Sequence, residues 1–152
     1  MFEGNLKFMI EQDTVRLLRE CDAGAKMGIS SIEDVLEYVR DEEFRRILSE
    51  CKREHEELTA EIHGALNRFG DEGKEPAAIA KGMSWIKTNV KLAVNDSDET
   101  VADLMTDGCN MGVKSLSKYL GKYKAADESS KDVAKRLISL EERLGKDIRS
   151  SL

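Results

Sequence analysis

Proline is nearly missing from this chain: a single residue, Pro76, in 152. Aromatic side chains make up only 5% of it. Strands favour aromatic and β-branched residues, so these shortages argue against a sheet protein. Cysteine is scarce as well, with Cys21, Cys51 and Cys109 far apart and without paired spacing. An odd, isolated set of this kind reads as reduced, buried thiols in a cytosolic protein, not as a disulfide framework. No apolar run approaches the roughly 20 residues that span a bilayer. The opening "MFEGNLKFMIEQD" lacks the basic region and apolar run of a secretory signal. Positive charge is in deficit, 24 Lys and Arg against 30 Asp and Glu, for a net charge of −6. Nucleic-acid affinity is mostly phosphate neutralisation, so that class is disfavoured. The expectation is a cytoplasmic protein with neither a membrane nor a nucleic-acid partner.

What remains is rich in Ala, Leu, Glu, Lys and Arg, all good helix formers, in a chain long enough for one core and one domain, residues 1–152. Helical periodicity occurs five times. The first helix starts after Asn5 or Asp13 and runs to about Val39, along Thr14, Leu18, Cys21, Ala25, Gly28, Ile32, Val35 and Val39. The second starts after Asp41 and ends near Phe69, along Phe44, Leu48, Cys51, His55, Leu58, Ile62, Ala65 and Phe69. That alternation of fours and threes is the pattern of bundle packing. Gly70 suits a helix C-terminus and Pro76 the first turn of a third, shorter helix over Ala77–Val94. "NDSD", Asn95 to Asp98, opens a fourth helix to about Lys124, along Val101, Met105, Gly108, Gly112, Ser115, Tyr119 and Tyr123. Ser129 or Ser130 caps the fifth, whose stripe is Val133, Leu137, Leu140 and Leu144.

Two segments look like a weak internal repeat: "DAGAKMG", Asp22–Gly28, and "DGCNMG", Asp107–Gly112. Glycine costs a helix roughly 1 kcal/mol against alanine, so two glycines one turn apart, Gly24 and Gly28, imply that something approaches closely there. Close packing of small faces explains them, and so does room for an imidazole or a ligand at the bundle centre.

Two hairpins joined by a crossover resemble the ferritin-like four-helix bundle. The residues carrying this are "RDEEFRRILSECKREHEELTAEI", "GKEPAAIAKGMSWIKTNVKLAV" and "MGVKSLSKYL", within Ile32–Tyr119. They are similar to an uncharacterised bacterial ferritin-like domain family. The resemblance implies an all-α, up-down four-helix bundle of two hairpins joined by a shorter crossover helix, and descent from a metal-binding ancestor. It implies no reaction.

Di-iron proteins of that fold place one Glu on each of two helices and a Glu-x-x-His pair on each of the other two. Here Lys52 stands three residues before His55, and the fifth helix has no His. An intact two-metal site is therefore not expected. A hairpin turning near Arg40 sets position 25 opposite about position 56, with His55 near Asp22. The candidate single-ion set is Asp22, His55, Asp107 and Glu141, for Fe, Mn or Zn. The plainer reading is no cofactor, with His55 a core histidine that donates to Asp22.

His63 falls off the seam and reads as a surface residue. Lys114, Lys118 and Lys122 form an i, i+4 ladder, a solvated face able to meet an acidic partner. Trp85 with Met83 is a candidate homodimer patch. No nucleophile elbow, Cys/His arrangement or phosphate loop is found. The functional expectation is a dimeric binding or scaffold protein with its metal site lost; a module that binds an apolar molecule between its hairpins is a separate, less favoured reading. The alternative is an oxidoreductase or metal-storage protein with an atypical ligand set.

Overall fold

The computed structural model describes residues 2–76 and 95–151. Four helices make up the fold: α1 (Phe2–Leu36), α2 (Glu42–Asn67), α3 (Asp98–Lys122) and α4 (Glu128–Ser151). No strand occurs among the described residues. The third expected helix, Ala77–Val94, lies outside them, and so do Met83 and Trp85.

The helix ends follow local chemistry. Asp41 accepts from Phe44 N at 2.7 Å, the expected cap of α2,. At the other end Gly70 takes φ +70°. Gly70 N bonds Asn67 O at 3.0 Å and Asp71 N bonds Leu66 O at 3.1 Å. This pair of bonds is a Schellman closure, which places glycine where a Cβ would be strained. Ser97 caps α3, accepting from Thr100 N. For α4 the cap is Asp127, which accepts from Ser130 N at 2.8 Å. Ser130 is instead buried on the inner face.

Each helix packs on two neighbours around a ring ordered α1, α2, α4, α3, and α1 also touches α4 across the diagonal. Backbone contacts fix the directions. Asp98 accepts from Arg40 N at 2.8 Å and Asp41 N at 2.9 Å, so α3 begins where α1 ends. At the opposite end Thr14 accepts from Asp127 N and Asp13 from Ala125 N, both at 2.9 Å. Ring neighbours are therefore antiparallel, while α2 and α3 run the same way and begin at the same end. The end of α2 and the start of α3 lie at opposite ends of the bundle.

The core divides into two clusters. One gathers Ile32, Val35, Phe44, Leu48, Leu104 and Leu144; the other gathers Leu17, Leu18, Leu58, Ile62, Leu116 and Leu137. The seams read from periodicity in α1, α2 and α4 are largely the buried ones. On α3 the expected stripe holds at Val101 and Met105, which are buried; Ala102, Leu104, Cys109 and Leu116 are buried with them, and Ser115 is exposed.

Candidate functional site

Between the two apolar clusters lies one polar layer. Along α2 it falls between Cys51 and Leu58, and along α4 between Leu140 and Leu144. In it, His55 Nε2 meets Glu141 Oε1 at 2.8 Å, and both side chains are buried. His55 Nδ1 lies 2.8 Å from Cys51 O and 3.5 Å from Cys51 Sγ. An imidazolium donates from both nitrogens here, to a carbonyl and to a carboxylate.

Gly28 and Gly112, the last residues of the two repeat-like segments, floor this layer from α1 and α3. A Cβ on Gly28 would stand 2.9 Å from His55 Cδ2 and Nε2, and 3.5 Å from Glu141 Oε1. A Cβ on Gly112 would meet the Glu141 side chain at 3.4 Å. The small residues thus make room for an imidazole and a carboxylate, one from each hairpin.

Burial alone would push the His55 pKa down. The hydrogen bonds to Cys51 and Glu141, with their charges, outweigh it and raise the pKa from 6.5 to about 10,. The thiols behave oppositely. Burial, then Glu20 and Asp22, raises Cys21 to about 12; burial, then Glu141, raises Cys109 further. Neither is a nucleophile at neutral pH.

The shift of His55 sets a pH dependence. Because its folded pKa lies above its unfolded one, its stabilising contribution is complete below about pH 6.5 and is lost as pH rises through about 10,. Urea unfolding between pH 6.5 and 10 is expected to show the wild type losing stability relative to a His55→Leu/Glu141→Met variant. A constant difference over that interval would contradict the charged state assigned to His55.

Of the four candidate metal ligands, two come together and two stand apart. His55 and Glu141 form the buried pair. Asp107 is exposed. Asp22 is fully buried but belongs to another cluster, where it accepts from His63 Nε2 and Lys74 N at 2.8 Å and pairs with Lys26 Nζ at 2.9 Å. Among the described residues no group of three or more His, Cys, Asp or Glu side chains is placed to hold a metal ion.

His55 therefore pairs with Glu141, not Asp22, and it is His63 that meets Asp22. The hairpin register explains the difference. Lys52 reaches Glu33 and His63 reaches Asp22 across α1 and α2, so His55 falls opposite Gly28, about one turn beyond Ala25. The role of Asp22 had no signal in helix periodicity, since one of its other partners, Lys74 N, comes from the connection after α2 and Lys26 from its own helix. There Arg19 also binds Asp71 at 2.8 Å and Gly73 O at 2.9 Å, and Lys26 binds Glu75 at 2.9 Å.

Beside the polar layer, a half-open cavity of about 190 Å³ lies between α1 and α3. Met27, Gly28, Met105, Met111 and Gly112 line it, and Glu141 and Cys109 reach its floor. Comparison of the chain with protein-family models, with curated proteins and with solved structures finds no match in any of the three. The class defined by the coordinates alone is an all-α four-helix bundle with a buried His–Glu layer and an adjoining apolar cavity. Among the described residues no helix is long and apolar enough to cross a membrane.

Proposed function

We propose that this chain is a ferritin-like bundle without an intact di-iron centre, acting as a binding protein for a small, neutral, mainly apolar molecule. The observation that carries the reading is the 190 Å³ cavity between the hairpins, walled by methionines and glycines and floored by one carboxylate. A dry engineered cavity of about 150 Å³ accepts benzene, so this volume suits one or two small rings. Methionine walls favour aromatic contacts and adapt to irregular shapes. Glu141 already balances an imidazolium, so a second full charge has no counter-ion there. Its carboxylate can still accept a hydrogen bond from a ligand hydroxyl or ring N–H. The parallel course of α2 and α3 supports the ferritin-like part of the proposal, since that fold also joins its hairpins by a long connection.

Calorimetric titration with phenol and indole tests the reading. Dissociation constants below about 1 mM are expected, as ligands of this size reach when most of their atoms are buried. Gly112→Leu fills the cavity and is expected to remove the binding. Absence of heat and of any thermal shift with both probes would overturn the proposal. Metal analysis of protein purified without an affinity tag separates the alternative. Near one equivalent of Fe, Mn or Zn would move the function to a metal protein, with His55 and Glu141 as the candidate ligands that stand together.

A further inference from the structure

Apart from Asp98, whose carboxylate accepts from Arg40 N and Asp41 N, charge along α3 reads the same from either end with the signs exchanged. Outward from the midpoint between Asn110 and Met111, Asp107 is matched by Lys114, Asp103 by Lys118 and Glu99 by Lys122. All six side chains are exposed, and Met111 at the centre is 54% exposed. At 100° per residue they share one stripe on the side of α3 turned away from the core.

None of the six makes an ion pair with another described residue; Lys122 rests over the Tyr123 ring, 5.5 Å from its centroid. The other helices differ, since Arg53 pairs with Glu50 and Glu57, and Arg136 with Glu61 and Asp132. Within one chain the arrangement is unfavourable. Glu99, Asp103 and Asp107 repel at i, i+4 spacing, and so do Lys114, Lys118 and Lys122. The helix dipole accounts for acid in the first turn and base in the last, but its reach ends before Asp103, Asp107, Lys114 and Lys118.

We propose that this face of α3 packs antiparallel on the same face of a second copy, giving a two-fold dimer. A two-fold axis at the 110/111 midpoint brings Asp107 to Lys114 and Asp103 to Lys118 of the other chain, each pair occurring twice, with Glu99 and Lys122 at the rim. Met111, 54% exposed, lies beside the axis. A parallel arrangement would oppose like charges at every position, so the pattern selects one orientation. Exposed ion pairs add little affinity each and mainly fix register and partner. The dimer is therefore modest in affinity and weakened by salt.

The test is sedimentation of the full chain at about 100 µM in low salt, where Debye screening is weak. The wild type is expected to be mainly dimeric, and to shift toward monomer in about 0.5 M salt. Asp103→Lys/Asp107→Lys and Lys114→Glu/Lys118→Glu each set like charges against like, and each is expected to weaken self-association at least tenfold. Mixed in equal amounts, the two variants form a heterodimer with wild-type affinity. The fourfold variant, with all four signs exchanged, dimerises by itself, which excludes misfolding as the cause of the losses. A monomeric wild type, variants that dimerise like the wild type, or a mixture that stays monomeric would each overturn the proposal.

Discussion

Replacing His55 by leucine is expected to destabilise the fold by about 3–5 kcal/mol, the range found when one partner of a buried pair is removed. The loss comes mainly from what stays behind. Glu141 is only 8% exposed, and without the imidazolium it keeps the Cys109 thiol as a hydrogen-bond partner but loses its buried counter-ion. It must either keep an unpaired charge in the core or take up a proton. For a domain of this length, that loss lowers the melting temperature by roughly 10–15 °C. Glu141→Met is expected to cost less, since His55 can shed its proton and still donate from Nδ1 to Cys51 O. Replacing both residues by leucine and methionine returns the stability to within about 2 kcal/mol of the wild type, because neither desolvated charge remains. The three variants close a double-mutant cycle whose coupling term measures the pair. If His55→Leu unfolds within about 1 kcal/mol of the wild type, the two groups are not a buried ion pair.

A layer so costly to break and so cheap to replace is weak evidence for stability as such. Its position gives a better account. On every helix it separates the two apolar clusters, and a slip of one turn between hairpins would set an imidazole or a carboxylate against leucine. The energetic penalty of that slip far exceeds a misplaced methyl group, so the pair holds the hairpins in one register. Holding that register also keeps open the cavity beside Glu141, because Gly28 and Gly112 stay level with each other.

The sequence exposes this layer unevenly, for physical reasons. His55 was legible because it interrupts an apolar seam, and any polar residue at such a position must find a partner inside. Glu141 stood among the candidate ligands, and the glycine segments announced close approach. The partner itself was not legible. Residues on a hairpin are matched by register, and an error of about one turn moves His55 from Ala25 to Gly28. Asp22 looked like an inward ligand because it is buried, yet the groups that satisfy it come from residues 63 and 74 and from its own helix. Loop backbone donors leave no periodic trace in sequence. The α3 stripe was legible at Val101 and Met105, which are buried, but it missed Leu104, Cys109 and Leu116 and took in Ser115, which is exposed.

Two alanine substitutions one turn apart are expected to act in opposite directions. At Gly24 a new Cβ would meet Leu116 and Leu137 methyls at 3.7 and 3.9 Å, ordinary contact distances that add packing. Alanine there also removes the helical cost of glycine, so Gly24→Ala is expected to stabilise by about 0.5–1 kcal/mol. At Gly28 the same methyl would come within 2.9 Å of the His55 ring. That ring is held at both nitrogens, by Cys51 O and by Glu141, so it cannot swing aside without losing a charged hydrogen bond. The helical gain is outweighed, and Gly28→Ala is expected to destabilise by about 2–3 kcal/mol, as overpacking of a rigid core does. Combining Gly28→Ala with His55→Ala removes the obstructing ring, so the two costs fall short of additivity. Chemical denaturation of Gly24→Ala, Gly28→Ala, His55→Ala and the double variant decides the matter. Equal effects at the two glycines would mean that the small residues of α1 serve helix packing alone, with no part in seating the imidazole.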